Sequence, residues 1–385
     1  MRGPGEQENS LDSSALKALF TFMPFSEIQA RFYMALLPML PPLLSGCHFI
    51  AGLEDHALRE GDGAISPWPD SNSSYCSDGT SKLECNADLI SDPALLTQDS
   101  LVRYNNPVYT EHPLNNGLVS VSDSVTGLKW FALPASKGNW LKHSEDCQTA
   151  FAEEGVRLPT RLELVSLMDY GSSEPRFGPE AFRDLPQGDY ITSSVTKRFP
   201  SNHMSYPDEP EEAWAVNTGC ASNSCDPASN PDALQATRRR YAMNTEYYAI
   251  CVKEANPFEL NKAPSPPSPQ EMQWKDERSG LTWSTHTGAV DTWKEALAHC
   301  NDKVLLGQSD FRLPSIKELH TLADDLSGLS HVMNINDMND FILWSSTPYT
   351  SAPDFAYVLT TPNGSVQVQR TNVNYFEVLC VRGPD

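Results

Sequence analysis

The chain has 385 residues, 39% of them hydrophobic and 20% charged, with a formal net charge of −22. That length accommodates about two to three domains with ordinary cores, and the acidic balance argues against nucleic acid as a partner, because a phosphate backbone would be repelled. Nine cysteines are many for a reducing compartment and point to an oxidising one.

From Met34 the chain reads Met-Ala-Leu-Leu-Pro-Met-Leu-Pro-Pro-Leu-Leu-Ser-Gly-Cys, with Arg31 as a positive flank. The run is too short and too proline-broken to span a bilayer, and it reads as a secretion signal. Leu44-Ser45-Gly46-Cys47 resembles the bacterial lipobox, which implies lipidation at Cys47 and a membrane partner through that anchor. Residues 1–47 are therefore assigned to a signal peptide, with translation expected to begin at Met23 or Met34. Residues 48–106, rich in Ser, Asp, Asn and Pro, read as a low-complexity spacer in which Cys76 and Cys85 close a small loop.

Residues 107–256 form a first unit. Leu118–Val121 and Leu128–Trp130 flank a Gly-containing turn and predict a hairpin. A helix is expected from Trp140, carrying Cys147. Then comes Arg157-Leu-Pro-Thr-Arg-Leu-Glu-Leu164, in which Pro159 ends an extended stretch, Thr160 offers an N-cap hydroxyl and Glu163 closes a capping box. Ser193-Ser194 and the strand Tyr247–Val252 follow. Cys220 and Cys225 lie in extra length before the closing Cys251 and are expected to bridge each other. Arg238-Arg239-Arg240 is a dense basic tract in an acidic chain, read as a solvated strand edge or as a contact for an anionic glycan.

Residues 257–270, with Pro264-Ser-Pro-Pro-Ser-Pro269, are a stiff linker. Residues 271–385 then repeat the first unit. One displacement relates Trp130 to Trp283, Trp140 to Trp293 and Cys147 to Cys300. The motif returns, after a two-residue slip, as Arg312-Leu-Pro-Ser-Ile-Lys-Glu-Leu319. Thr292 and Glu295 form a further capping box, Ser345-Ser346 is taken as the partner of Ser193-Ser194, and both copies end on Cys-Val. The matching positions pair Cys147 with Cys251 and Cys300 with Cys380, each bond worth roughly 4 kcal/mol in the loop-entropy picture.

These motifs together, Asp-x-x-(Ser/Thr)-Gly-Leu-x-Trp, Phe-Arg-Leu-Pro-Ser-Ile-Lys-Glu-Leu, Trp-Ser-Ser-Thr and Cys-Val-Arg-Gly, resemble the Lcl C-terminal domain of bacterial surface proteins. Residues 274–383 match closely, and the first unit looks like a divergent copy. The resemblance implies an α+β fold of two tandem C-type lectin-like domains, each with two helices against a twisted antiparallel sheet, loop-rich and disulfide-linked. It also implies a cell-envelope lipoprotein, in the outer membrane or on the cell surface, acting as a binding or adhesion module. A polysaccharide or an envelope protein is the expected partner, with a purely structural assembly module as the alternative. No triad, His-x-x-x-His or Cys-x-x-Cys spacing accompanies these motifs, so no enzyme, metal or cofactor is expected.

Overall fold

The computed structural model describes residues 68–383 apart from 116, 152, 173–175, 197–211, 220–236, 243–244, 255–271, 285–287, 323–341, 361–363 and 373–374. The signal run with Cys47, the Cys220–Cys225 pair and the proline-rich linker fall outside these residues.

Each helix begins where a side chain accepts a free N–H group. Asn139 caps α1 (Trp140–Thr149), and the Thr160–Glu163 capping box opens α2 (Arg161–Ser166). Equivalent boxes at Thr292 and Ser315 open α3 (Trp293–Asn301) and α4 (Ile316–Thr321). The strands, in chain order, start with two two-residue pieces, β1 (Cys76–Ser77) and β2 (Lys82–Leu83). Next come β3 (Tyr109–Pro113), β4 (Val119–Asp123), β5 (Leu128–Ala132), β6 (Met168–Asp169), β7 (Arg176–Phe177) and β8 (Gly188–Thr196). The first unit continues with β9 (Glu212–Thr218), β10 (Thr237–Ala242) and β11 (Ile250–Glu254). The second contributes β12 (Gln273–Lys275), β13 (Thr282–Ser284), β14 (Gly288–Val290), β15 (Ile342–Pro348), β16 (Phe355–Thr360), β17 (Ser365–Arg370), β18 (Phe376–Val378) and β19 (Val381–Arg382).

The architecture is α+β. The main sheets run β11-β5-β4-β3, β10-β9-β8, β12-β13-β19 and β14-β18-β15-β16-β17, antiparallel except for the β15–β18 pair. Disulfides join Cys147 of α1 to Cys251 of β11, Cys300 of α3 to Cys380, and Cys76 to Cys85. The stretch from Phe376 to Arg382, expected as one strand, is divided. β18 pairs with β14 and β15, whereas β19 pairs with β13, so the chain changes sheets at Cys380.

Hydrogen bonds correct one correspondence between the units. Trp140 Nε1 donates to Thr192 O, and Trp293 Nε1 donates to Ser345 O. Ser193 N bonds Pro159 O as Ser346 N bonds Pro314 O. The hydroxyls of Ser194 and Thr347 accept from the first N–H groups of α2 and α4. Thr192-Ser193-Ser194 therefore corresponds to Ser345-Ser346-Thr347, and Trp344 has Ile191 as its counterpart. The bulges agree, lying between Ile191 and Val195 and between Trp344 and Pro348. In a strand, a one-residue slip exchanges the two faces, and the repeated Ser-Ser spelling hid it.

Equivalent elements meet at the seam between the units: α2 packs on α4, and the edge strand β10 lies alongside the edge strand β17. One core cluster contains Leu162, Leu164 and Tyr170 together with Ile316, Leu319 and Tyr357. The Tyr170 and Tyr357 rings meet edge to face at 5.2 Å.

Within the expected spacer, residues 68–105 are not a spacer. They form a strap closed on itself by Asp70 N to Asn105 O and Asn105 Nδ2 to Trp68 O. Ala94 and Leu95, on a 3₁₀ turn, join a cluster with Trp293, Ala296 and Leu297. Ser71 O accepts from Tyr170 N of the first unit, and Asp99 N donates to Ser346 O of the second. The polar composition misled because these buried polar groups are satisfied by hydrogen bonds rather than by water.

The strap passes very close to Gly171, where an added Cβ would lie 2.2 Å from Asn72 O. A backbone oxygen cannot swing aside as a side-chain tip can. Gly171→Ala is therefore expected to lower unfolding stability in urea by roughly 2 kcal/mol.

Candidate functional site

The repeated motif builds a clamp in each unit. In the second, the Arg312 guanidinium donates two hydrogen bonds to Glu318, at 2.7 and 2.6 Å. The same carboxylate accepts from Ser315 N at the start of α4. The Arg312 backbone exchanges both hydrogen bonds with Val381, beside Cys380. In the first unit Arg157 grips Glu163 at 2.8 and 2.7 Å and pairs with Val252. These glutamates are caps and ion-pair partners at once, which gives both arginines a scaffold role.

The clamps differ in what covers the arginine. Arg157 is 33% exposed along its side chain and also pairs with Glu254. Arg312 is 6% exposed, and the Tyr104 ring of the strap lies over its guanidinium, 5.1 Å from the ring centre. Strap and clamp thus enclose a small cleft lined by Trp68, Asp70, Asp99, Tyr104, Arg312 and Glu318, among others. Its size suits a hydroxyl-sized group. Arg312 Nε is buried there without a hydrogen-bond partner among the described residues.

The cleft floor is charged. Asp99 accepts hydrogen bonds from the Ser71 and Thr347 hydroxyls. Burial raises its carboxyl to about 6 against those two bonds, and Glu318 and Asp70 add to the rise. Burial raises Asp70 as well, opposed by the N–H groups of Tyr104 and Asn105. Beneath lies Lys317, whose ammonium donates to Asp70 O and to Ser166 O, both at 2.9 Å, so it ties strap, α2 and α4 together. Alongside, Arg161 donates to His320 Nδ1 at 3.2 Å and stacks on Trp214. Burial and the neighbouring Arg161 and Lys317 hold His320 well below the usual histidine range, so it is neutral.

Of the residues singled out from sequence, Arg238, Arg239 and Arg240 lie on β10 at a bulge, on the strand that faces β17. The cleft residues of the strap were missed, since nothing in their spacing predicts burial. Among the described residues no helix is long and apolar enough to cross a membrane, and no cluster of three His, Cys, Asp or Glu side chains could hold a metal ion.

The second unit fits a known class. Residues 273–382 match the family model of the Lcl C-terminal domain. Among curated proteins, none matches the chain.

Two stability measurements probe the clamp and the seam. Glu318→Gln leaves the Arg312 charge buried without its partner and is expected to cost about 3 kcal/mol in chemical unfolding. Glu163→Gln is the milder change, because Glu254 still pairs with Arg157. Burial pushes the Lys317 ammonium down to about 8 from the ordinary 10.5, against the pull of Asp169, Asp123, Asp70 and Asp99. Between those values the unfolded chain holds a proton that the folded chain lacks, so Lys317 makes stability rise with pH across that window. Unfolding free energies from pH 7.5 to 10 should carry this rising component in the wild type and lose it in Lys317→Met.

Proposed function

We propose that the chain is a lipid-anchored envelope protein in which two homologous lectin-like domains form a non-catalytic binding module for an extracellular polysaccharide. The observation that carries the reading is the cleft between strap and second unit. It sets an exposed aromatic edge, Tyr104, and the buried Trp68 beside acceptors on Asp70 and Asp99 and the buried, unpartnered Nε donor of Arg312. Donors and acceptors converging beside aromatic rings suit a hydroxylated ligand. The room available admits a hydroxyl-bearing tip, which fits the end or an edge of a sugar polymer.

Three further features support the reading. The clamps, the indole-to-carbonyl bonds and the bulges recur at corresponding places, as duplication of one ancestral domain requires. In each unit the disulfide ties the first helix to that unit's closing segment, and a second capped helix packs with antiparallel sheet, in keeping with a lectin-like plan. Disulfides persist in oxidising compartments, in keeping with export and with lipidation at Cys47. The membrane is then a partner through the anchor, and the protein stands in the outer membrane or on the cell surface.

Full-length protein passed over immobilised bacterial and host polysaccharides should be retained by at least one. Tyr104→Ala should weaken that retention roughly tenfold, the loss of about one stacking contact. Joint replacement of Arg238, Arg239 and Arg240 by Gln should leave it intact if the cleft is the contact. Retention abolished by the arginine changes alone would move the site to β10. No retention by any polymer, with a fixed envelope protein recovered by cross-linking, would replace this reading with a structural assembly module.

A further inference from the structure

The strap touches both units, and its hold depends on one awkwardly placed carboxylate. Asp99 is 6% exposed and sits where the strap meets the second unit. Its backbone N–H bonds Ser346 O, and its side chain takes hydroxyls from Ser71 of the strap and Thr347 of β15. Every element packed around it can be named. The strap brings a second carboxylate, Asp70, and α4 brings Glu318 and Lys317. Arg312, just before α4, lines the same cleft but is engaged bidentately by Glu318. β15 contributes only hydroxyl and carbonyl groups. The single charge of Lys317 is shared among Asp169, Asp123, Asp70 and Asp99. Ionised Asp99 is therefore incompletely neutralised and faces two other acidic groups.

We propose that residues 68–105 are an acid-tightened brace: neutral Asp99 seats the strap across the seam, and ionised Asp99 loosens it and dismantles the cleft of which it forms one wall. The proposal holds whether or not the cleft takes a glycan. The direction follows from linkage. Burial raises the Asp99 carboxyl from 3.8 to about 6. Between these values the seated strap holds a proton that the released strap lacks, so seating weakens as pH rises through this window and levels off above it. Asp70, also raised, acts in the same sense. His320 acts oppositely on global unfolding, but it stays buried between α2 and α4 when only the strap lets go.

Hydrogen exchange of the full-length protein, corrected for intrinsic rates, tests this between pH 4.5 and 8. Amides of residues 70–73 and 98–101 should exchange roughly tenfold more slowly at pH 5 than at pH 7.5, while those of β16 and β17 keep one rate. Asp99→Asn should hold the strap amides slow at pH 7.5 and leave only the shallower dependence that Asp70 contributes. Thr347→Val, which removes a hydroxyl that favours the ionised carboxylate, should move the midpoint upward, whatever the fate of the first variant. The exposed Asp354→Asn should leave the profile unchanged. A flat profile in the wild type, an undiminished pH dependence in Asp99→Asn or an unmoved midpoint in Thr347→Val would overturn the proposal.

Discussion

The buried contact between Arg312 and Glu318, with its partner between Arg157 and Glu163, is the constraint on which the structure depends. A guanidinium taken out of water needs a carboxylate in fixed geometry, and each glutamate supplies it while also accepting the N-cap N–H of its helix. The arginine backbone meanwhile pairs with the closing segment, next to a disulfide cysteine. One residue pair thus sets where the second helix begins, where the chain's end lies and, through the neighbouring disulfide, where the first helix is held.

Because the clamp occurs twice, equivalent surfaces arise twice, and they meet each other. α2 contacts α4 and β10 runs beside β17. The symmetry is broken by what lies on the clamps. Glu254 answers Arg157, whereas the Tyr104 ring answers Arg312. The helices follow suit. Ala296 and Leu297 of α3 are buried in a cluster that includes strap residues, while at the matching places α1 carries His143, bonded to Tyr247 O, and the half-buried Ser144. The second unit is covered there by the strap, whereas the first buries its histidine against Tyr247 of its own chain segment.

Much of this was legible in the sequence. The capping boxes at Thr160, Thr292 and Ser315 read directly, because a hydroxyl and a glutamate three apart state their own hydrogen bonds. The bonds Cys147–Cys251 and Cys300–Cys380 follow from matching positions in two copies. The α+β class followed from the resemblance to the Lcl C-terminal domain. Other features did not read. Thr192 and Ser345 do the same work, yet the spelling Ser-Ser drew the match one residue off, and only hydrogen bonding restores the register. Lys317 stands where the first copy has Leu162, and a lysine in a helix suggests solvent. Its burial depends on Asp70 O and Ser166 O, which come from distant parts of the chain. The candidate site was illegible for the same reason: its strap wall is polar, lacks periodicity and is ordered only by the surface it covers.

The strap makes the second clamp more than a scaffold, since it converts a buried ion pair into the floor of a cleft. Whether the clamp bears the weight assigned to it is settled most directly by a double-mutant cycle on Arg312→Leu and Glu318→Leu, read in chemical unfolding. A coupling of about 2 kcal/mol or more is predicted, each single change stranding its buried partner and the double change costing far less than their sum. Additivity within about 0.5 kcal/mol would contradict the account.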